Sequence, residues 1–290
     1  MTSPRTDLAE LADQIRELAA TPAGEPLPDT AAPAVWSLLG ALEAGAVRSA
    51  QKDADGVWRA VPWVKQGILL AFRLGRIAEH APSAGLLHFF DKDTLPIRIF
   101  AAGDNVRIVP GGSSVRRGAY VASGVVCMPP MFINVGAWVG EGTMVDSHAL
   151  VGSCAQVGER VHLSAAAQIG GVLEPINMAP VVIEDDVIVG GNCGVYEGTV
   201  VRERAVLGAG VVLTRGTPVF DLVRETVYRG ATDSPLEIPA GAVVVPGARS
   251  IAADRSDWAA GRGLALHTPV IVKYRDDRTD TATALEQWLR

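Results

Sequence analysis

The sequence predicts a mainly β protein built as a parallel β-helix, and three observations carry that prediction. An apolar residue returns every six positions through the middle of the chain, a small or apolar residue stands four positions after it, and glycine often follows it directly. Stepping by six from Val115 gives Val121, Cys127, Ile133, Val139, Val145, Val151, Val157, Leu163 and Ile169; after residues 170–182 the phase resumes, two positions displaced, at Ile183, Val189, Val195, Val201, Leu207 and Leu213. The companion positions run through Ala119, Val125, Met131, Ala137, Thr143, Ala149, Ala155, Val161 and Ala167, then Val187, Cys193, Thr199, Ala205, Val211 and Thr217.

An amphipathic α-helix alternates spacings of three and four, and an ordinary strand alternates by two over a few residues, so neither yields a strict period of six. A hexapeptide that forms one short strand and one corner does. Three hexapeptides close a triangular coil of about eighteen residues, and coils stack at about 4.8 Å, as strands do within a sheet. Glycine after the apolar residue, as at Gly140, Gly152, Gly158, Gly170, Gly190 and Gly208, suits a corner where a Cβ would be crowded. Residues 170–182 break the rhythm and so must loop out of the wall, with a Gly-Gly start and two prolines, Pro175 and Pro180, to shape them.

The flanks read differently. Leu8, Leu11, Ile15 and Leu18, then Val35, Leu38, Leu39 and Leu42, recur at helical spacing and predict two amphipathic helices joined by a Pro-rich linker over residues 21–33. Residues 46–61 read as a hairpin turning at Asp53, Asp55 and Gly56; Pro62 then opens a third helix predicted over residues 63–79. Beyond the repeats, residues 221–235 read as a second excursion, residues 238–245 and 269–274 as strands, and residues 282–290 as a short helix held by Leu285, Trp288 and Leu289. The expected organisation is an N-terminal α+β cap (residues 1–106), the β-helix (107–248) and a C-terminal strand and helix extension (249–290).

With 290 residues and 48 % apolar composition the chain can bury a substantial core. A net charge of -6 with no Lys/Arg-rich run argues against a nucleic-acid surface. No stretch has the length of uncharged apolar sequence needed for a membrane span, and the first twenty residues hold no signal-like apolar run, so a soluble, cytoplasmic protein is expected. Cys127, Cys154 and Cys193 form no Cys-x-x-Cys pair and read as reduced, packed thiols.

Three segments are more specific than the rhythm: GTMVDSHALVGSCAQVGERVHLS (142–164), IGGVLEPINMAPVVIEDDVIVGG (169–191) and YEGTVV (196–201). With GAVRSAQKDADGVWRAVPWVKQGILLAFR (45–73) and PVIVKYR (269–275), the chain resembles the tetrahydrodipicolinate N-succinyltransferases over most of its length. The resemblance implies a left-handed prism, a homotrimer with active sites between neighbouring prisms, and transfer of succinyl from succinyl-CoA to ring-opened tetrahydrodipicolinate. Succinyl-CoA is then a co-substrate, with no tightly bound cofactor or metal expected. It also implies that the loop at residues 170–182 lies at the active site.

Acyl transfer to an amine needs a neutral amine, a polarised thioester and a base for the released proton. Asp146 follows Val145 at a corner, where its carboxylate faces outward; the resemblance assigns it substrate binding and orientation of the amine, with catalytic proton acceptance as an alternative and a plain solvated corner as another. Glu197 is the second candidate catalytic carboxylate, as a base or as a nucleophile on the thioester. A glutamate implicated in some family members aligns instead with Gly194, which leaves the identity of the second carboxylate open. Arg107 matches a substrate-binding arginine of the family, and its guanidinium fork suits a dicarboxylate; a surface ion pair is the other reading. Arg202, Arg204, Arg215, Arg249 and Lys273 are the cations available to CoA phosphates, and sequence does not choose among them. His148 and His162 are the two histidines of the repeats, too few for the three-histidine zinc site of prism-shaped carbonic anhydrases. The competing readings are a hexapeptide transferase with another donor or acceptor and a non-catalytic β-helix scaffold.

Overall fold

In the computed structural model, residues 7–80, 89–231 and 234–276 are described. The predicted C-terminal helix at residues 282–290 lies outside them. The repeats form a three-walled prism of two-residue strands joined by corners. The first wall stacks Tyr120–Val121, Trp138–Val139, Gln156–Val157, Val182–Ile183, Val200–Val201 and Glu237–Ile238, all parallel. The second begins with Arg107–Ile108 and climbs through Val126–Cys127, Met144–Val145, His162–Leu163, Ile188–Val189 and Val206–Leu207. The third runs from Ser114–Val115 through Phe132–Ile133, Leu150–Val151, Gln168–Ile169 and Gly194–Val195 to Val212–Leu213.

Every position of the six-residue series is buried, and with the companion positions these residues form one continuous core from Val115 to Ile271. Each full Val, Ile or Leu burial contributes about 1.5–3 kcal/mol, so the series itself drives closure of the prism. Two buried threonines stand in the companion track without cost in unmet hydrogen bonds: Thr143 Oγ1 donates to Gly158 O (2.9 Å) and Thr199 Oγ1 to Tyr196 O (2.7 Å).

The corner chemistry divides into two requirements. Glycine directly after the inward residue is demanded by close stacking: a Cβ at Gly152 would lie 2.2 Å from Gly171 N, and one at Gly140 2.5 Å from the Gly158 carbonyl. The left-handed backbone falls two residues later, where Gly124, Gly136, Gly142 and Gly210 share the position with His148, Arg160, Asp186 and Asn192.

The cap has its own core. Helix α1 (Leu8–Ala19), α2 (Ala31–Glu43) and α3 (Pro62–Leu74) bury Leu11, Ile15, Leu38, Leu39, Val64 and Ile68 together with Val135 and Cys154 of the prism. The cap seats on the edge between the third and first walls, where Gly118 and Gly136 admit Leu39 and Ile68: added Cβ atoms would come within 2.6 and 2.7 Å of those side chains. The predicted hairpin is β1 (Ala50–Lys52) with β2 (Trp58–Ala60), and it lies against the first wall.

Three expectations are corrected. The linker over residues 21–33 is shorter than predicted, because α2 begins at Ala31. Helix α3 stops at Leu74, not at residue 79; Gly75 is extended and packed so closely that a Cβ would lie 2.3 Å from Thr94 Oγ1. The chain then forms β3 (Ile77–His80), antiparallel to β4 (Phe89–Lys92). The excursion predicted over residues 221–235 contains regular structure: Val219–Asp221 pairs antiparallel with Thr226–Tyr228 and parallel with Ala265–Tyr274, which in turn pairs antiparallel with Ala242–Ser250 and extends the second wall. No helix among the described residues is long and apolar enough to cross a membrane.

Candidate functional site

The prism's edges, more than its walls, carry the candidate chemistry. Asp146 leaves the second wall outward, as its corner position predicts, and is partly exposed; its Oδ1 accepts the Ser147 N–H at 2.7 Å. One rung up, His162 Nε2 lies 4.0 Å from Asp146 Oδ2, a pairing that is ionic only when the imidazole is protonated. Arg107 is the lowest rung of this same wall and is exposed. Two strand spacings separate its rung from that of Met144, about 10 Å. Arg107 and Asp146 therefore flank one stretch of one wall, with a cation at one end and a carboxylate at the other, a span that suits a substrate bearing a carboxylate and an amine.

Glu197 occupies a different edge, between the third and first walls, and a level two coils higher. Glu197 (φ 55°) and Gly198 (φ 75°) are adjacent left-handed residues, where the corners at 136, 142, 148, 160, 186 and 192 each use one. That costs about 1–3 kcal/mol for the non-glycine. Gly198 also admits the loop at residues 170–181, because a Cβ there would lie 2.8 Å from Ala179 O. Glu197 Oε2 accepts the Arg215 N–H at 3.0 Å, and Arg215 Nη2 reaches Met178 Sδ at 3.0 Å. Loop, Glu197 and Arg215 thus line a cavity of about 490 Å³ whose far side is the cap, at Trp58 and Pro62. Buried Arg215 Nε has no acceptor among the described residues, so this arginine retains capacity for an anionic ligand.

Lys65 was not among the predicted site residues. It is fully buried on α3, and its ammonium donates to Met178 O at 2.5 Å. Burial pushes its pKa down. The only sequence signal was a lysine on the apolar face of a predicted helix, which reads equally as a snorkelling surface residue.

Gly194, where some relatives of the resemblance carry a glutamate, stands on the third wall with Tyr196 folded over it. A Cβ at Gly194 would sit 2.4 Å from Tyr196 Cε2. A glutamate at this position would require Tyr196 to move aside. Of the candidate CoA cations, Arg202 is already committed, to Glu184 at 3.0 Å and Glu237 at 2.7 Å, and Lys273 pairs with Asp276 at 3.2 Å.

Stacked hexapeptide coils with a loop folded over one edge place the chain in the class of hexapeptide-repeat proteins, and its relatives make it an acyltransferase of that class. A model of the tetrahydrodipicolinate N-succinyltransferase N-terminal region matches residues 14–74, and one of the hexapeptide repeat of succinyl-transferase matches residues 180–215. Proteins from Polynucleobacter asymbioticus and Bradyrhizobium diazoefficiens, each named 2,3,4,5-tetrahydropyridine-2,6-dicarboxylate N-succinyltransferase, are 40 % and 41 % identical over 263 residues, covering 89 % of either chain. The chain belongs to the tetrahydrodipicolinate N-succinyltransferase family. A crystal structure of a putative succinyltransferase of this kind from Campylobacter jejuni superposes with TM-score 0.51 at 18 % identity, covering 82 % of this chain and 62 % of that one. The prism is thus a left-handed parallel β-helix.

Proposed function

We propose that this chain transfers succinyl from succinyl-CoA to the amine of ring-opened tetrahydrodipicolinate, in lysine and diaminopimelate biosynthesis in the cytoplasm. The amine nitrogen attacks the thioester carbonyl, the C–S bond breaks as the N–C bond forms, and the amine proton passes through a carboxylate to the departing thiolate. The products are N-succinyl-2-amino-6-oxopimelate and CoA. In this reading Arg107 holds a substrate carboxylate by a paired hydrogen bond, Asp146 binds and orients the amine, and Glu197 accepts its proton.

The observation that carries the reading, beyond family membership, is the separation of the two carboxylates. Asp146 and Glu197 occupy different edges of the prism, about 10 Å apart along its axis by two coil spacings. Because the two carboxylates lie on different edges of one prism, the reading draws Asp146 from one prism and Glu197 from its neighbour in a cyclic homotrimer. Ile77, Phe89, Phe90, Ile97 and Ile99, the last 91 % exposed, give apolar surface for neighbouring chains to cover.

Thiol release from succinyl-CoA tests this, measured with and without L-2-aminopimelate and repeated with acetyl-CoA. Release should require the acceptor, prefer succinyl and fall by about 10²–10⁴ in Asp146→Asn and Glu197→Gln. Coexpression of the two inactive variants should restore about a quarter of wild-type activity, the share of interfaces that randomly pair an intact Asp146 with an intact Glu197. No restoration in mixed trimers would place both groups in one chain or remove one from the chemistry.

A further inference from the structure

A second cavity, of about 560 Å³, lies between the cap hairpin and the first wall, apart from the edges described above. Its floor is an aromatic and cationic stack. Tyr120 and Trp138 stack at 3.8 Å, and the Arg48 guanidinium lies 4.0 Å from the Trp138 ring centre and 5.3 Å from that of Trp58. Arg48 Nε donates to Gln156 Oε1 at 2.9 Å; its two Nη groups meet no acceptor among the described residues. Burial pushes the Arg48 pKa down to about 10, so a desolvated cation with idle donors faces a cavity.

The rim carries the opposite charge. Glu141, Glu159, Asp185 and Glu203 hold the same corner position in four successive coils, about 4.8 Å apart. Glu159 is paired with Arg160, and Glu184 beneath the rim with Lys52 and Arg202. Asp185 Oδ1 accepts the Glu159 N–H, an interaction that leaves its charge in place. Glu141 and Glu203 have no cationic side chain bonded to them among the described residues. The Asp185 charge acts on Arg48 and partly offsets its desolvation, so the cavity holds one cation with idle donors on its floor and an acidic rim of Glu141, Asp185 and Glu203 that this one cation does not neutralise.

We propose that this cavity is a binding site for a diamino monocarboxylic acid of the lysine class. The carboxylate pairs with the Arg48 Nη groups in the fork geometry that guanidinium favours. The methylene stem lies along Tyr120 and Trp58, and the two ammonium groups meet the rim carboxylates. Charge selects the class: a dicarboxylate would place a second anion on an acidic rim, a diamine would leave Arg48 unmet, and a neutral side chain would leave the rim unmet. The site is separate from the acyl-transfer site and does not depend on its assignment.

Calorimetric titration of L-lysine, L-ornithine, cadaverine and L-norleucine into the full-length protein, with no acyl-CoA present, tests the proposal. Lysine or ornithine should bind saturably at one per chain, with cadaverine and norleucine each at least about tenfold weaker. Glu141→Gln with Glu203→Gln, exposed changes that leave folding intact, should weaken lysine about tenfold, and Arg48→Gln, which removes the charge, should abolish discrimination against cadaverine. Saturating L-2-aminopimelate and succinyl-CoA should leave lysine binding unchanged. Absence of binding at millimolar lysine, equal binding of norleucine, indifference to the double rim substitution, or displacement by L-2-aminopimelate would each overturn it.

Discussion

Glu184 couples the cap to the prism, and its removal should expose that coupling as a pH-dependent loss of stability. Its carboxylate is 6 % exposed and accepts from Lys52 Nζ and Trp58 Nε1 of the cap hairpin, each at 2.8 Å, and from Arg202 Nη1 (3.0 Å) and the Glu203 N–H (3.2 Å) of the prism. Burial alone would raise its pKa; hydrogen bonds from Glu203, Lys52 and Trp58 outweigh it and bring the value from 4.5 down to about 2. That difference corresponds to about 3 kcal/mol. Because the folded pKa is depressed, the contribution is complete above the unfolded value of 4.5 and is lost as pH falls toward 2. Glu184→Gln keeps an acceptor for Trp58 and removes the charge, and so imitates the protonated carboxyl at all pH values. Urea unfolding of both proteins at fixed concentration should show wild type ahead by about 3 kcal/mol at neutral pH. The gap should narrow below pH 4.5 and close near pH 2. A gap that is absent at neutral pH, or that stays constant into acid, would refute the coupling.

Gly136→Ala places a Cβ 2.7 Å from Ile68 Cδ1 at φ 73°, and should cost about 1–3 kcal/mol, read as a lowered thermal midpoint. Burial pushes the Cys127 thiol up to about 12 and the Cys154 thiol up to about 11, and raises Cys193 as well; none should react with a thiol reagent at mildly alkaline pH until the protein is unfolded, whereupon all three do. Gly194→Glu should destabilise the protein and fail to restore Glu197→Gln, whereas adding Tyr196→Ala should recover folding; unimpaired folding of Gly194→Glu alone would show that Tyr196 yields.

The prism was legible because its information is local and repeated. Val139, Val145 and Val151 each announce a wall, and the break at residues 170–182 announces the loop. Asp146 was legible for the same reason: one step past an inward valine, it could only point out. The left-handed corners were not, because Cys154, Arg160 and Ala166 are residues with no preference of their own for that conformation and are held in it by the stacking coils. The end of α3 was hidden because Arg73 to Glu79 carries no breaker stronger than Gly75, and what stops the helix is Thr94, nineteen positions away. The first-wall cavity was equally hidden: Arg48 and its partner Gln156 are 108 residues apart. Gly194 read as a missing carboxylate, and its physical reason, the ring of Tyr196, appears only in three dimensions.

The loop between the third and first walls uses fourteen steps, from Ile169 to Ile183, where six would close the corner. Yet the ladders on either side stay in register, Gln168 against Gly194 and Gln156 against Val182. Length has been added to the surface at no expense to the stacking beneath it. Such a corner lets evolution rewrite what a catalyst touches while inheriting its framework unchanged: insertions and deletions here alter the lining around Glu197 without moving a single inward valine. Divergence in this lineage should therefore collect at corners as changes of length, and along the walls as swaps among Val, Ile and Leu.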